Sequence, residues 1–280
     1  MKKINTAPIS GMQELLPREQ AIFDQIKSQI MQVYHLHGFN HIETPMIDRT
    51  EILLAKAGGD TEKQIYKVVK TAETSDDADQ ALRFDHTVPL ARYVVEHQND
   101  LAFPFRVSQF GRNFRGERVQ KGRFREFYQM DADIIGRNTL PIGYDAEVVA
   151  TAFHALSQFV KTPILVRLSN RKILAGLLEA LALMGKSSEI YGIIDHAEKV
   201  PAEVTEAKLR EQVVDESKVQ TILQFIQIRG PRAEVAKKLT ALGIDNETFA
   251  TGVNELLLVL DLLEAQGIGQ SVIADMLIIR

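Results

Sequence analysis

From Pro17 onward the apolar residues Ile22, Phe23, Ile26, Ile30, Val33 and Tyr34 recur at spacings of three and four, and Gly38 follows. This predicts a helix with proline in its first turn and glycine at its end. FNHIETPMID (39–48) predicts a short strand interrupted by Pro45, which suits a sheet edge or an interface. IYKVV (65–69) and ALRFD (81–85) alternate as strands around the polar, acidic TAETSDDADQ (71–80), which predicts a hairpin. Thr87, with Pro89 two residues on, is read as the N-cap of a helix running through LARYVVEH (90–97). PFRVSQFGRNF (104–114) and FREFYQMDADIIG (124–136) alternate like two strands joined by the basic turn RGERVQKGR. Asp145 is expected to cap a helix over 146–160, and ILVRLSN (164–170) returns as a strand. Helices mixed with hairpin-connected strands predict an α+β fold, an antiparallel sheet flanked by helices.

After Asn170 the pattern turns helical. RKILAGLLEALALMG, PAEVTEAKLREQV, ESKVQTILQFIQI, PRAEVAKKLTALG and NETFATGVNELLLVLDLLEAQG are separated by Gly, Pro, Asp or Asn. Three segments are therefore expected: a mixed domain over 1–170, a mainly helical domain over 171–270, and a returning core strand starting in 271–280. SVIADMLIIR is apolar and has no breaker, cap or polar tail after it. The expectation is that the sequence stops inside a core strand.

Charge changes the picture locally. The 280 residues carry a formal net charge of −4, yet Arg106, Arg112, Arg115, Arg118, Lys121, Arg123 and Arg125 cluster around a single acid, Glu117. Basic residues in a hairpin loop are often only solvated. Seven across two strands and their turn point instead to an anion held by guanidinium groups on a sheet. Neither GxxxxGK[ST] nor GxGxxG occurs, so the glycine-loop phosphate cradles are excluded. The absence of cysteine excludes disulfides, thiolate metal sites and cysteine nucleophiles. MKKINTAPISG has no apolar run behind its lysines, and no stretch approaches the roughly 18 apolar residues of a membrane span, so a cytoplasmic protein is expected. His35, His37 and His41 straddle a helix end and a strand start, and no metal is assigned to protein side chains.

These pieces, in this order, resemble a known family. HIETPMID after a long helix is similar to motif 1 of class II aminoacyl-tRNA synthetases, and FRGERVQKGRFREF resembles their motif 2. LRFDHT before a helix resembles the Leu-Arg-x-Glu/Asp-x-Thr segment of histidyl-tRNA synthetases, and QKGRFREFYQMDADIIG is similar to that family along its whole length. The likeness covers residues 8–170. It implies ATP-dependent, Mg2+-assisted joining of histidine to tRNA(His) by a homodimer, of which this stretch is expected to be an incomplete catalytic region that does not charge tRNA by itself.

By resemblance, Arg115 is the catalytic arginine at the α-phosphate of ATP, Glu117 receives the adenine amino group, and Arg123 serves the outer phosphates or the tRNA end. Asp85 and Thr87 match the holders of the histidine α-amino group. His86 lies between them, where a small or aliphatic residue is expected, and is counted with them as a histidine-binding residue. Gln129 and Asp133 share a strand face and match histidine-binding positions, Asp133 being suited to accept a proton from the imidazole. Arg280 falls where the family's Arg-Gly-Leu-Asp-Tyr-Tyr-like signature begins and is expected to be a second catalytic arginine. Three plainer readings stay open. Asp85 is a helix cap, Asp131 and Asp133 form the solvent face of an edge strand, or the chain is a synthetase-like regulatory subunit of ATP phosphoribosyltransferase. A free nucleic-acid-binding module would leave LRFDHT and the paired acids unexplained.

Overall fold

Pro17 sits at the start of α1 (Pro17–Leu36), where a missing N–H is harmless, and Glu19 Oε2 accepts a hydrogen bond from the Leu16 amide at 2.9 Å. Gly38, at φ +79°, follows it in a backbone region that favours glycine. The structure is a computed structural model that describes residues 4–55, 59–72 and 78–279, without the side chains of 59–61. Arg280 and residues 73–77 of the expected acidic turn lie outside the described residues. Contacts group the chain into two units, Met1–Leu140 and Pro141–Arg280.

In the first unit, residues 39–48 do not form one strand. They split into β1 (Asn40–His41) and β2 (Ile47–Arg49), which enter different sheets. Pro45, between them, has no N–H to offer a ladder. Two short helices that periodicity does not reveal follow, α2 (Thr50–Leu53) and α3 (Gly59–Gln64). The expected hairpin is present as β3 (Lys67–Val68) against β4 (Gln80–Leu82), with β2 antiparallel on the other side of β4. Helix α4 (Thr87–Glu96) leads to β5 (Phe105–Phe114) and β6 (Glu126–Ile135). These two strands form an unbroken antiparallel ladder from Phe105↔Ile135 to Phe114↔Glu126, while β1 adds to β5 in parallel. Leu90, Phe105 and Val107 pack with Ile42, Tyr93 and Ile135 and fasten α4 to this sheet.

The second unit begins before the composition changes at 170. Helix α5 (Gly143–Ser157) places Ala146 and Ala150 in one apolar core with Ile173, Leu177 and Leu263. Strand β7 (Val166–Leu168) pairs with β9 (Val272–Asp275). Both elements therefore group with the helices that follow, and not with the 1–170 segment expected. Asp145 lies inside the first turn of α5 and is not its cap. The remaining helices are α6 (Arg171–Ala180), α7 (Ser187–His196), α8 (Ala202–Gln212), α9 (Glu216–Ile226), α10 (Arg232–Ala241) and α11 (Glu247–Ala265), of which α7 was not expected. Helices α6 and α11 meet closely enough that a Cβ on Gly176 would stand 2.2 Å from the Phe249 amide nitrogen. The 271–280 segment does supply a buried strand, but β9 pairs inside this unit, between β7 and the short β8 (Arg229–Gly230). Among the described residues no helix is long and apolar enough to cross a membrane.

Candidate functional site

Directly opposed residues of antiparallel strands share a sheet face. The register pairs Gly111 with Gln129, Gln109 with Asp131, and Val107 with Asp133. One face of the hairpin thus carries Gln109, Gly111 and Asn113 beside Gln129, Asp131 and Asp133. The other carries Arg106, Phe110 and Arg112 beside Tyr128. There Phe110 stacks on Tyr128 at 5.1 Å, with Phe23 of α1 4.7 Å from Tyr128.

The same alternation divides the basic cluster. Arg112 pairs with Glu126 at 2.9 Å and donates to the Tyr128 hydroxyl, on the face away from the acids. Arg106 donates to the His37 carbonyl, and Arg125 to the carbonyls of Glu117 and Ser10. The seven residues are therefore not one anion site. Arg123 remains beside Glu117 and Arg115 lies just past the end of β5, with Arg118 and Lys121 exposed on the loop.

Arg115 follows the last residue of β5. Its guanidinium lies over the rings of Phe84 (4.4 Å) and Phe127 (4.9 Å), and Nε donates to the Phe84 carbonyl at 3.2 Å. Two aromatic faces and one carbonyl fix a cation without neutralising it. No carboxylate of the described residues forms an ion pair with it. Glu117 is mostly buried and pairs with the exposed Arg123 at 3.0 Å. The Gly116 amide donates to the Gln64 carbonyl at 2.7 Å, tying the start of the loop to the end of α3.

The acid face is a connected network. Asn113 Nδ2 donates to Gln129 Oε1 (2.9 Å), and Gln129 Nε2 donates to both oxygens of Asp131 (2.9 and 3.0 Å). His86 Nδ1 meets Asp131 Oδ2 at 2.6 Å. His86 is 1% exposed and Asn113 is fully buried. Arg83 lies across the same face, donating from Nη1 to the Thr44 carbonyl (2.7 Å) and from Nε to the Arg112 carbonyl (3.0 Å). A Cβ on Gly111 would sit 2.2 Å from Arg83 Nη2 and 3.2 Å from His86 Nε2, so glycine is what lets both lie against the strand.

Burial, then the charge of Asp131, pushes the Asp133 carboxyl above the usual range, with His86 opposing. Burial, then Asp131 and Asp133, raises Tyr34 of α1, so that phenol belongs to the same surroundings. Burial lowers the Arg83 guanidinium, while Glu43 and Asp131 oppose.

Asp85 Oδ1 accepts the amides of Thr87 (3.0 Å) and Val88 (3.3 Å), so Asp85 supplies the cap of α4 that was expected from Thr87. Thr87 is the first residue of that helix and is exposed. Among the described residues no group of three or more His, Cys, Asp or Glu side chains converges to hold a metal, and His41 Nδ1 lies 3.2 Å from the Ser108 carbonyl. Sequence reasoning missed Arg83, Gln109 and Asn113 and weighed Asp131 only as a solvent face. The i, i+2 spacing of Gln129, Asp131 and Asp133 was the signal that could have joined Asp131 to its neighbours.

Residues 11–280 match the family model of histidyl-tRNA synthetase. The histidine–tRNA ligase of Clostridium tetani is 43% identical over 258 residues, covering 91% of this chain. The crystal structure of histidyl-tRNA synthetase from Nostoc sp. PCC 7120 is similar with a TM-score of 0.88 at 34% identity, over 99% of this chain and 62% of that one. An ATP phosphoribosyltransferase regulatory subunit/histidyl-tRNA synthetase from Bacillus halodurans has a TM-score of 0.84 at 22% identity, over 100% of this chain and 70% of that one, a likeness of fold alone. The chain spans 57% of the length of the Clostridium tetani relative.

Proposed function

The chain belongs to the histidyl-tRNA synthetase family, and on that premise we propose that the protein carrying it is an ATP-dependent histidine–tRNA ligase. The observation that carries this reading is Arg115, a guanidinium held by two rings and a carbonyl with no carboxylate of the described residues paired to it. A carboxylate oxygen of histidine attacks the α-phosphorus of ATP. A new P–O bond forms, the bond to the bridging oxygen breaks, and pyrophosphate leaves. Arg115 stabilises the charge on the α-phosphate as this happens. Glu117 accepts from the adenine amino group, and Arg123 serves the outer phosphates or the acceptor end of tRNA(His). Asp85 and Thr87 hold the ammonium group of histidine. Gln129 and Asp133 face its imidazole, and an unpaired acid there discriminates against apolar amino acids of similar size. A ribose hydroxyl at the tRNA end then attacks the acyl carbon, releasing AMP. Arg280 is assigned as a second catalytic arginine by resemblance alone.

Mg2+ accompanies ATP in this reading. No step is assigned to it. Homodimerisation is proposed through the α1 and β2 region, where Leu16, Ile22, Met46 and Ile47 are exposed. The cytoplasm is the proposed location.

The competing reading is a regulatory subunit of ATP phosphoribosyltransferase. The basic loop beside Arg115 favours the ligase, since a regulator needs no element that meets tRNA. Assaying ATP–pyrophosphate exchange by the intact protein with each of the twenty amino acids separates the two. The ligase exchanges with histidine and not with the others, and a regulator exchanges with none.

A further inference from the structure

Two carboxylates stand two residues apart on one face of β6, and only one of them is anchored. Asp131 accepts from His86 Nδ1 and from the Gln129 amide. Asp133 has no side-chain hydrogen bond among the described residues. The anchor comes from the start of α4, 45 positions away in the chain, and is itself enclosed. A carboxylate can only accept, so Nδ1 carries the proton. Nε2 is buried without a partner above Gly111, so the ring is not presented to a ligand.

We propose that His86 is a positioning residue for amino-acid recognition: it ties Asp131 back against Gln129 and leaves Asp133 as the one carboxylate free to pair with a substrate imidazole. The inference rests on the histidine-ligase reading of this face. Asn113 holds the carbonyl end of the Gln129 amide while Asp131 holds its nitrogen end, so the orientation of that amide depends on where Asp131 is kept. The charged and titratable groups around the pair are His86 at the N-cap position of α4, Tyr34 from α1, Arg83 from the segment before α4, and Asp131 itself. Without the imidazole, Asp131 is released toward Asp133, and two like charges on one face hold a proton at Asp133 more tightly.

His86→Leu in the intact protein is expected to raise the KM for histidine by about tenfold, the scale of one lost hydrogen bond to a charged group. The KM for ATP stays unchanged, and the acid limb of kcat/KM for histidine moves to higher pH. His86→Asn, which can place an amide N–H near the Nδ1 position, restores the histidine KM. A purely structural role predicts a lowered melting temperature with neither the KM split nor the moved limb, and that result would overturn the proposal. Wild-type protein supplies an independent reading through 15N resonances of the His86 ring. A protonated Nδ1 supports the proposal, and a bare Nδ1 with the proton on Nε2 overturns it even if the leucine variant fails to fold. Wild-type protein that exchanged with no amino acid would overturn the ligase reading and this inference with it. Wild-type exchange with histidine, matched by His86→Leu in KM and pH profile, would overturn the inference alone.

Discussion

Gly111 is the position at which crowding on the acid face is most acute. Arg83, which a Cβ there would strike, is pinned by two backbone carbonyls and cannot swing away freely. Gly111→Ala is therefore expected to destabilise the protein by about 1–3 kcal/mol, the usual range for overpacking. Urea unfolding measures it, and an unchanged midpoint would mean that Arg83 yields easily. Asp133 makes the opposite prediction. Its carboxyl binds a proton more tightly folded than unfolded, chiefly through burial. Between the unfolded and the raised folded value the native state holds the extra proton, so this group's contribution to stability falls as pH rises through that window. Asp133→Asn should raise the urea midpoint at pH 7, and the gain should vanish once pH falls below the window. The same substitution should raise the histidine KM, a trade of function against stability. Equal midpoints at pH 7 would contradict burial as the cause.

At the scale of elements, the start of α4 performs two tasks that can be separated. The Asp85 carboxylate caps the helix through one oxygen, and in the proposed function it also faces the ammonium of histidine. Asp85→Ala removes both and should lower stability by about 0.5–2 kcal/mol. Asp85→Asn keeps an acceptor for the amides but removes the charge, so stability should hold while the KM for histidine rises. An asparagine variant with wild-type KM would leave Asp85 as a cap only. The β5–β6 hairpin was legible nearly to its ends because ten residues of alternation on each side carry a long periodic signal. Residues 39–48 were not, because β1 and β2 hold only two and three residues and are defined by partners β5 and β4 much later in the chain.

Across the whole molecule, the residues that resemblance assigns to chemistry were read, apart from Arg280, in LRFDHT, in β6 and in the loop that joins it to β5. What joins them was not. The His86–Asp131 contact and the bed of Arg83 on Gly111 arise where a helix start meets a sheet face, and no local spacing encodes that meeting. The sheet face also reverses part of the simplest reading of charge, since alternation sends Arg106 and Arg112 away from the acids. Arg115 is thus left to carry the claim that this surface activates an amino acid. The direct test is histidine-dependent ATP–pyrophosphate exchange by the intact protein, wild type against Arg115→Ala, with folding checked by circular dichroism. A folded variant whose exchange falls by roughly 10²–10³ is expected, as on removing a charge-stabilising donor from a preorganised site. A folded variant that exchanges at close to the wild-type rate would contradict the claim.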